Sequence, residues 1–422
     1  MCLSWGEHIV AKPAYLFDLD MTLLDTSALL AARTRQNWGY IRSNLNLVKP
    51  FTITPNLKVH EIPGMMRGVG HPVAIVTSAP RWYAQALLQS YGVPYDVLVA
   101  SGDAPRPKPD PAPLQKALND LGVAPGESCY VGDAKDDFEA SYRAGILSIG
   151  AGWNQSTATL WQTAPDIFLY EAQWLLYPHM FPQLGYIAEV LAAGRVPTLH
   201  AGSILQCGLP TRVALGRYFP TADARHVNDP LARLILTLKN HDTPSALFGT
   251  ALAHFVNKLQ PLPTFATCVP PKPSQQRIRF AATLQHLRTQ VNTLNVFPDG
   301  MKSLFEVTDY KRTHRGKRAS RVHGAFASNY TWGSKAVLLL DDVLTSGATT
   351  DECARILTAH QASSVLTVCL SADQDPFVTK PCPVCIWGVL RFKTNSYNGT
   401  HFWGCSRWKK DKSGCNYTED HV

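Results

Sequence analysis

No run of 18 or more apolar residues occurs in the 422-residue chain, and the opening MCLSWGEHIVAKP has neither a basic start nor an apolar signal-peptide core. Membrane spanning and secretion therefore lack support, and a cytoplasmic protein is expected. Charged residues are sparse at 17%, whereas hydrophobic residues make up 45% and aromatics 10%, which excludes wholesale disorder and collagen-like structure. Internal repeats and long low-complexity tracts are also missing. The length exceeds what one core supports, so two or three domains are expected. Acidic residues outnumber basic ones only in the front: residues 1–190 hold 13 Lys+Arg against 17 Asp+Glu, and residues 191–422 hold 27 against 15. Of ten cysteines, four (Cys382, Cys385, Cys405, Cys415) fall in the last 41 residues. In a chain without a secretion signal this pattern reads as a metal site plus scattered thiols, not a disulfide framework.

Apolar runs alternate with helical stretches in the front of the chain. Strands are expected at 14–17, 72–76, 95–100 and 129–131, with a helix at 81–90 among them. This alternation predicts a doubly wound α/β sheet whose ligands sit at strand C-termini. Residues 195–375 repeat the style, with a strand at 336–340 and a helix over about 351–360. The segment 174–194, ending in Ala192-Ala193-Gly194, is the expected boundary, and Pro376, Pro381 and Pro383 mark a second linker. The expected domains are thus 1–190, with a small cap at about 24–70, then 195–375 and 380–422.

Three constellations carry chemistry. In the first, FDLDMT places Asp18 and Asp20 just past a strand. One carboxylate can attack an electrophile while the other moves a proton, provided a cation holds the first ionised. YVGDAKDDFEA supplies Asp133 and Asp137 for a Mg²⁺. Thr77 could bond a phosphate oxygen, and Lys108 in RPKPDP could offset negative charge. These motifs, in this order over about residues 12–180, resemble the haloacid dehalogenase superfamily, especially its phosphoglycolate-phosphatase-like branch. The resemblance implies Asp18 as nucleophile, Asp20 as general acid and base, Thr77 as phosphate-binding hydroxyl and Lys108 as stabilising cation. Asp18, Asp20, Asp133 and Asp137 would then form the Mg²⁺ side. The small cap is expected to admit a bulky phosphate ester, and Trp38 and Tyr40 within it read as packing residues.

In the second, VLLLDDVLTSGATT presents two adjacent acids after a strand, then a small-residue turn that opens a helix and suits an anion. It resembles the binding loop for phosphoribosyl pyrophosphate (PRPP) in type I phosphoribosyltransferases. The resemblance implies ribose contacts from Asp341 and Asp342, and 5′-phosphate contacts from Thr345, Ser346, Gly347, Ala348 and Thr349. The wider segment, about 225–370, is similar to the competence protein F (ComF) branch, which places Pro270, Pro271 and Lys272 at the pyrophosphate loop. The basic run 311–321 would lie in the region that closes over the site, serving phosphates, nucleic acid or only solvation. That branch usually carries its cysteine-rich element before the transferase, whereas here it follows.

The third is Cys382-x2-Cys385-x19-Cys405-x9-Cys415, whose four thiolates suit a closed tetrahedral Zn²⁺ site that a tail of this size needs in order to fold. The string through FWGCS resembles the four-cysteine zinc ribbons of bacterial type I topoisomerases. Cys415 is the expected fourth ligand, with His401 in reserve because the last gap is long. Trp387, Phe392, Tyr397, Phe402, Trp403 and Trp408 interleave with Arg391, Lys393, Arg407, Lys409 and Lys410, as in surfaces that bind single-stranded nucleic acid. A purely structural or protein-docking ribbon stays open.

Together these imply two Rossmann-like α/β domains and a zinc ribbon. The expected activity is a Mg²⁺-dependent phosphatase joined to a PRPP-using transferase acting on nucleotides or nucleic acid. Two alternatives stay open: a nucleic-acid end-repair phosphatase, and a PRPP- or nucleotide-sensing binding protein. The oligomeric state is not legible.

Overall fold

The structure, a computed structural model, describes residues 12–221, 223–306, 318–377, 380–385, 388–395, 398–409, 411 and 413–420. The chain divides into two compact units, one of residues 1–185 with 200–202 and one of residues 186–199 with 203–422. The division falls inside the segment 174–194, so that the helix Ile187–Ala192 belongs to the second unit.

The first unit is built on a six-stranded, wholly parallel sheet. Its order is Ile167–Leu169, Leu147–Ala151, Ser128–Gly132, Ala14–Phe17, Val73–Val76, Val97–Val99. Ala14–Phe17 is buried at every position, as a central strand covered on both faces must be. Its side chains alternate between two cores: Tyr15 and Phe17 join Val73, Ile75, Cys129 and Val131, while Ala14 and Leu16 join Ala74, Val76 and Tyr130. The helix Arg81–Ser90 buries Tyr83, Ala84, Leu87 and Leu88, one stripe at helical spacing. Between the first two sheet strands lies a small insertion. It comprises the antiparallel pair Leu24–Asp25 and Lys49–Pro50, the short helices Leu30–Thr34 and Trp38–Ser43, a hairpin and the helix Ile62–Gly68. Trp38 packs edge-on against Trp82 and Tyr83, while Tyr40 stays 46% exposed.

The second unit holds a seven-stranded sheet. Its order is Leu205–Gln206, Arg212–Ala214, Ser364–Asp373, Ala336–Leu344, Phe265–Cys268, Asn295–Val296, and Arg217–Tyr218 also pairs with Ser364–Asp373. The pairings are parallel except that between Leu205–Gln206 and Arg212–Ala214. Val337 and Leu339 face one core, Leu338 and Leu340 the other. The strand expected to stop at Leu340 continues to Leu344, because Asp341, Val343 and Leu344 keep register with Cys369, Ser371 and Ala372. The acids therefore lie within the strand, and the helix that follows starts earlier than expected, at Ala348. Toward the C-terminus, Lys380–Pro381, Val389–Thr394, His401–Cys405 and Thr418–Asp420 form an antiparallel four-stranded sheet. Trp387, Tyr397 and Lys410, and residues 311–317 of the basic run, lie outside the described residues. Among the described residues no helix is long and apolar enough to cross a membrane.

Candidate active site and metal centre

Asp18 follows the central strand, its N–H extending the ladder to Val131 O at 2.8 Å. The neighbouring strand ends at Gly132, which delivers Asp133 and then Asp137 in the first turn of the helix Lys135–Ala144. Oxygens of Asp18, Asp133 and Asp137 lie within 4.8 Å of one another. Lys108, whose side chain is 6% exposed, reaches into this group from a loop. Its Nζ donates to Asp18 Oδ1 at 2.8 Å, to Asp137 Oδ1 at 2.6 Å and to the Tyr130 hydroxyl at 2.6 Å. Asp137 Oδ2 accepts the N–H groups of Asp133 (3.1 Å) and Ala134 (3.0 Å), so Asp137 fixes both the lysine and the turn. Gly132 makes this possible, since a Cβ there would meet Asp137 Oδ2 at 2.6 Å.

The site is short of positive charge. Burial pushes the Asp18 carboxyl well above the ordinary carboxylate range; the Lys108 cation opposes this, and the charges of Asp137, Asp133 and Asp20 add to it. Burial and then Asp137 raise Asp133 to about 7. For Lys108, burial disfavours the ammonium, but Asp137 and Asp18 outweigh it and hold the lysine protonated. Three converging carboxylates with one ammonium fit a further hard cation with oxygen ligands.

Asp20 stands apart from that carboxylate group. Its Oδ1 accepts from the Tyr83 hydroxyl at 2.7 Å, and its Oδ2 lies 2.9 Å from Arg33 Nη2. The latter contact is an ion pair and not a hydrogen bond. Thr77 is buried directly after the strand Val73–Val76, its Oγ1 accepting from Ala79 N at 3.1 Å. Trp153, Asn154 and Gln155 clamp the loops from beyond the next strand, donating to the carbonyls of Thr22, Met21 and Asp133. Sequence reasoning missed Tyr130, Tyr83, Arg33 and this clamp. Each looks like an ordinary core or loop residue until the strand order brings it to the site.

In the second unit, Val269 N bonds Leu340 O at 2.9 Å, so the loop carrying Pro271 and the exposed Lys272 leaves its strand beside Asp341. Arg279 from the same loop pairs with Asp342. Burial and the neighbouring Asp342 charge raise Asp341 to about 8. Thr345, Ser346, Gly347, Ala348 and Thr349 form the turn and helix start, with Gly347 at φ +81°, a left-handed conformation suited to glycine. Arg212, also missed, lies against Gly347 and pairs with Asp351.

The four tail thiols converge. Cys382 Sγ lies 3.6 Å from Cys415 Sγ, Cys385 Sγ lies 3.5 Å from Cys405 Sγ, and all four sulfurs are within 4.8 Å of one another. These separations are far beyond a disulfide bond. They approach the ~3.8 Å edge of a tetrahedron with ~2.3 Å metal–sulfur bonds. Gly388 lines the cradle, where a Cβ would meet Cys405 Sγ at 2.5 Å and Cys385 Sγ at 2.8 Å. His401 lies outside the group, stacked on Phe392 with Nδ1 3.1 Å from Thr394 Oγ1.

Residues 52–151 match the family of haloacid dehalogenase-like hydrolases, a span that holds Thr77, Lys108, Asp133 and Asp137. A phosphoglycolate phosphatase of Pectobacterium atrosepticum is 32% identical over 117 residues, 27% of this chain and 50% of that protein. Pyrophosphatase PpaX of Bacillus velezensis is 28% identical over 204 residues, 39% of this chain and 94% of that protein. The chain spans about half the length of the other curated relatives it matches. A crystal structure of a predicted phosphoglycolate phosphatase from Haemophilus somnus 129pt aligns at 20% identity and TM-score 0.33, covering 40% of this chain and 98% of that one. Residues 52–151 are thus similar to haloacid dehalogenase-like hydrolases, and the N-terminal region of this chain is similar to phosphoglycolate phosphatases.

Proposed function

We propose that the first unit hydrolyses phosphate esters with Mg²⁺. The observation that carries this is Lys108 bridging Asp18 and Asp137 beside a cation-deficient carboxylate group. Asp18 attacks phosphorus and the bond to the leaving oxygen breaks as Asp20 gives that oxygen a proton. Water then attacks phosphorus, passes a proton to Asp20, and the bond to Asp18 breaks. Thr77 can donate to a phosphoryl oxygen, and Lys108 opposes the burial that favours protonated Asp18 and faces the charge that develops. Mg²⁺ held by Asp18 and Asp133, with Asp137 beside them, would polarise the phosphoryl group. With Mg²⁺, an aryl phosphate should be hydrolysed and Asp18→Asn should abolish the activity; full activity in that variant refutes the reading.

The second unit is read as a PRPP site. What supports this is two adjacent acids near the C-terminal end of, but inside, the strand Ala336–Leu344, followed by a left-handed glycine and a helix start, with Arg279 and the Pro271–Lys272 loop alongside. Titration calorimetry with PRPP and Mg²⁺ should show binding that Asp341→Asn with Asp342→Asn removes. The four cysteines are read as a Zn²⁺ ligand set. Lys393 lies over the Trp408 ring at 5.4 Å, and Trp408 is 50% exposed, which supports the ribbon as a contact for single-stranded nucleic acid. Such binding should weaken steeply as salt rises. The acceptor of the transferase and the phosphate ester would then be nucleotides or nucleic acid.

A further inference from the structure

Asp20 is held from two directions. Tyr83, fully buried in the first turn of the helix Arg81–Ser90, fixes Oδ1 from the sheet-bearing core. Arg33, on the helix Leu30–Thr34 of the small insertion, faces Oδ2 at 2.9 Å. Its other terminal nitrogen, Nη1, donates to the buried Thr26 Oγ1 at 3.0 Å, and its guanidinium lies 6.0 Å from the Tyr83 ring centre. Tyr83 cannot swing away, since the rings of Trp38 and Trp82 pack edge-on against it at 6.2 and 6.0 Å. The two carboxylate oxygens are therefore not equivalent. Oδ1 has a hydrogen bond, whereas Oδ2 is buried, faces a cation and accepts no hydrogen bond.

We infer that Arg33 and Tyr83 are positioning residues for proton transfer by Asp20, Tyr83 immobilising Oδ1 while Arg33 holds Oδ2 and shields it from bulk water. The inference rests on the phosphatase reading of Asp18 and Asp20. Arg33 sits in the insertion and not in the sheet, so the pair also ties Asp20 to the insertion. Without Arg33, Oδ2 would hydrate and the carboxylate would rotate about its Tyr83 bond; without the Tyr83 hydroxyl, Oδ1 would lose its anchor. Neither residue touches the phosphoryl group in this scheme, so substrate binding should be spared.

The test separates the two proton transfers in single-turnover mixing with Mg²⁺. It compares p-nitrophenyl phosphate, whose phenol leaves without needing a proton, with 2-phenylethyl phosphate, whose alkoxide needs one. In Arg33→Met and in Tyr83→Phe, nitrophenolate release should keep its rate. Phosphate release from both substrates, and alcohol release from the alkyl ester, should slow about ten- to hundredfold, within the range of general acid–base catalysis. KM should change less than about threefold, and Arg33→Lys should recover part of the loss, as befits an effect on a proton transfer step. Tyr83→Phe keeps the buried ring, so a folding defect in one variant does not decide the matter. Equal slowing of nitrophenolate and phosphate release, or no slowing in either variant, overturns the inference. If the unaltered enzyme shows no Asp18-dependent hydrolysis of either ester, the phosphatase reading itself has failed, and the inference falls with it.

Discussion

Replacing Lys108 by Met should destabilise the first unit while leaving its shape intact. The ammonium is 6% exposed and has carboxylate oxygens at 2.8 and 2.6 Å, with a phenol oxygen also at 2.6 Å. Methionine fills a similar volume but leaves Asp18 and Asp137 facing each other without a counter-charge. Breaking a buried pair by removing one partner costs about 3–5 kcal/mol, because the remaining charge stays desolvated. Native-state hydrogen exchange at the amides of Ser128–Gly132, the strand that pairs with Ala14–Phe17 and leads into the site, reports that loss locally. At about 1.4 kcal/mol per tenfold, exchange should speed up by roughly two to three and a half decades at neutral pH. The sign with pH follows from Asp18. Burial already raises its carboxyl, and without Lys108 it rises further. A raised carboxyl contributes stability fully below the unfolded value of about 4 and loses it as pH rises through the folded value. The deficit of the variant should therefore be largest at neutral pH and shrink toward pH ~4. Added Mg²⁺ should recover part of it by mass action. A loss below about 1 kcal/mol at neutral pH, typical of an exposed pair, would refute the reasoning.

Two further outcomes follow from other parts of the chain. Burial and the Glu189 charge raise Asp229, which caps the helix Pro230–Leu238 through the N–H groups of Leu231 and Ala232, to about 7. Its contribution is full below about 4 and lost as pH rises through about 7, so Asp229→Asn, which keeps an acceptor, should stabilise the second unit by about 1–2 kcal/mol at pH 8 and not at pH 4; thermal melts at the two pH values that shift equally would contradict this. Elemental analysis should find about one zinc per chain, lost in Cys415→Ser and kept in His401→Ala; zinc retained without Cys415 would remove it from the ligand set.

What the sequence made legible was local. Acids directly after apolar runs mark strand ends at Asp18 and Asp133, where a buried parallel strand most readily carries its polar load, whereas at Asp341 the same cue falls inside the strand Ala336–Leu344. The thiolates were legible from their spacing, which suits one tetrahedral site. The helix Arg81–Ser90 could be read from its stripe alone. Where local cues gave out, boundaries slipped. Nothing in VLLLDDVL signals that the ladder continues past two acids, because that continuation depends on Ser364–Asp373 offering partners as far as Ala372.

The residues that tune the site were illegible for a different reason: their roles come from strand order and register, not from spacing. Tyr130 reads as one more core aromatic in SCYVG. Only pairing with Leu16 in the strand Ala14–Phe17, together with the turn that brings Asp137 back, puts its hydroxyl beside Lys108. Tyr83 and Arg33 are separated from Asp20 by 63 and 13 positions, one on the helix after the next strand and one in the insertion. No motif links them, yet they contact both oxygens of one carboxylate. Asp18, Asp133 and Asp137 are thus written as short strings at strand ends, whereas the contacts that hold Asp20 are distributed over the sheet and its insertion. On the proposed phosphatase reading, variation in the insertion would change which leaving groups are turned over while the strings at the strand ends stay the same.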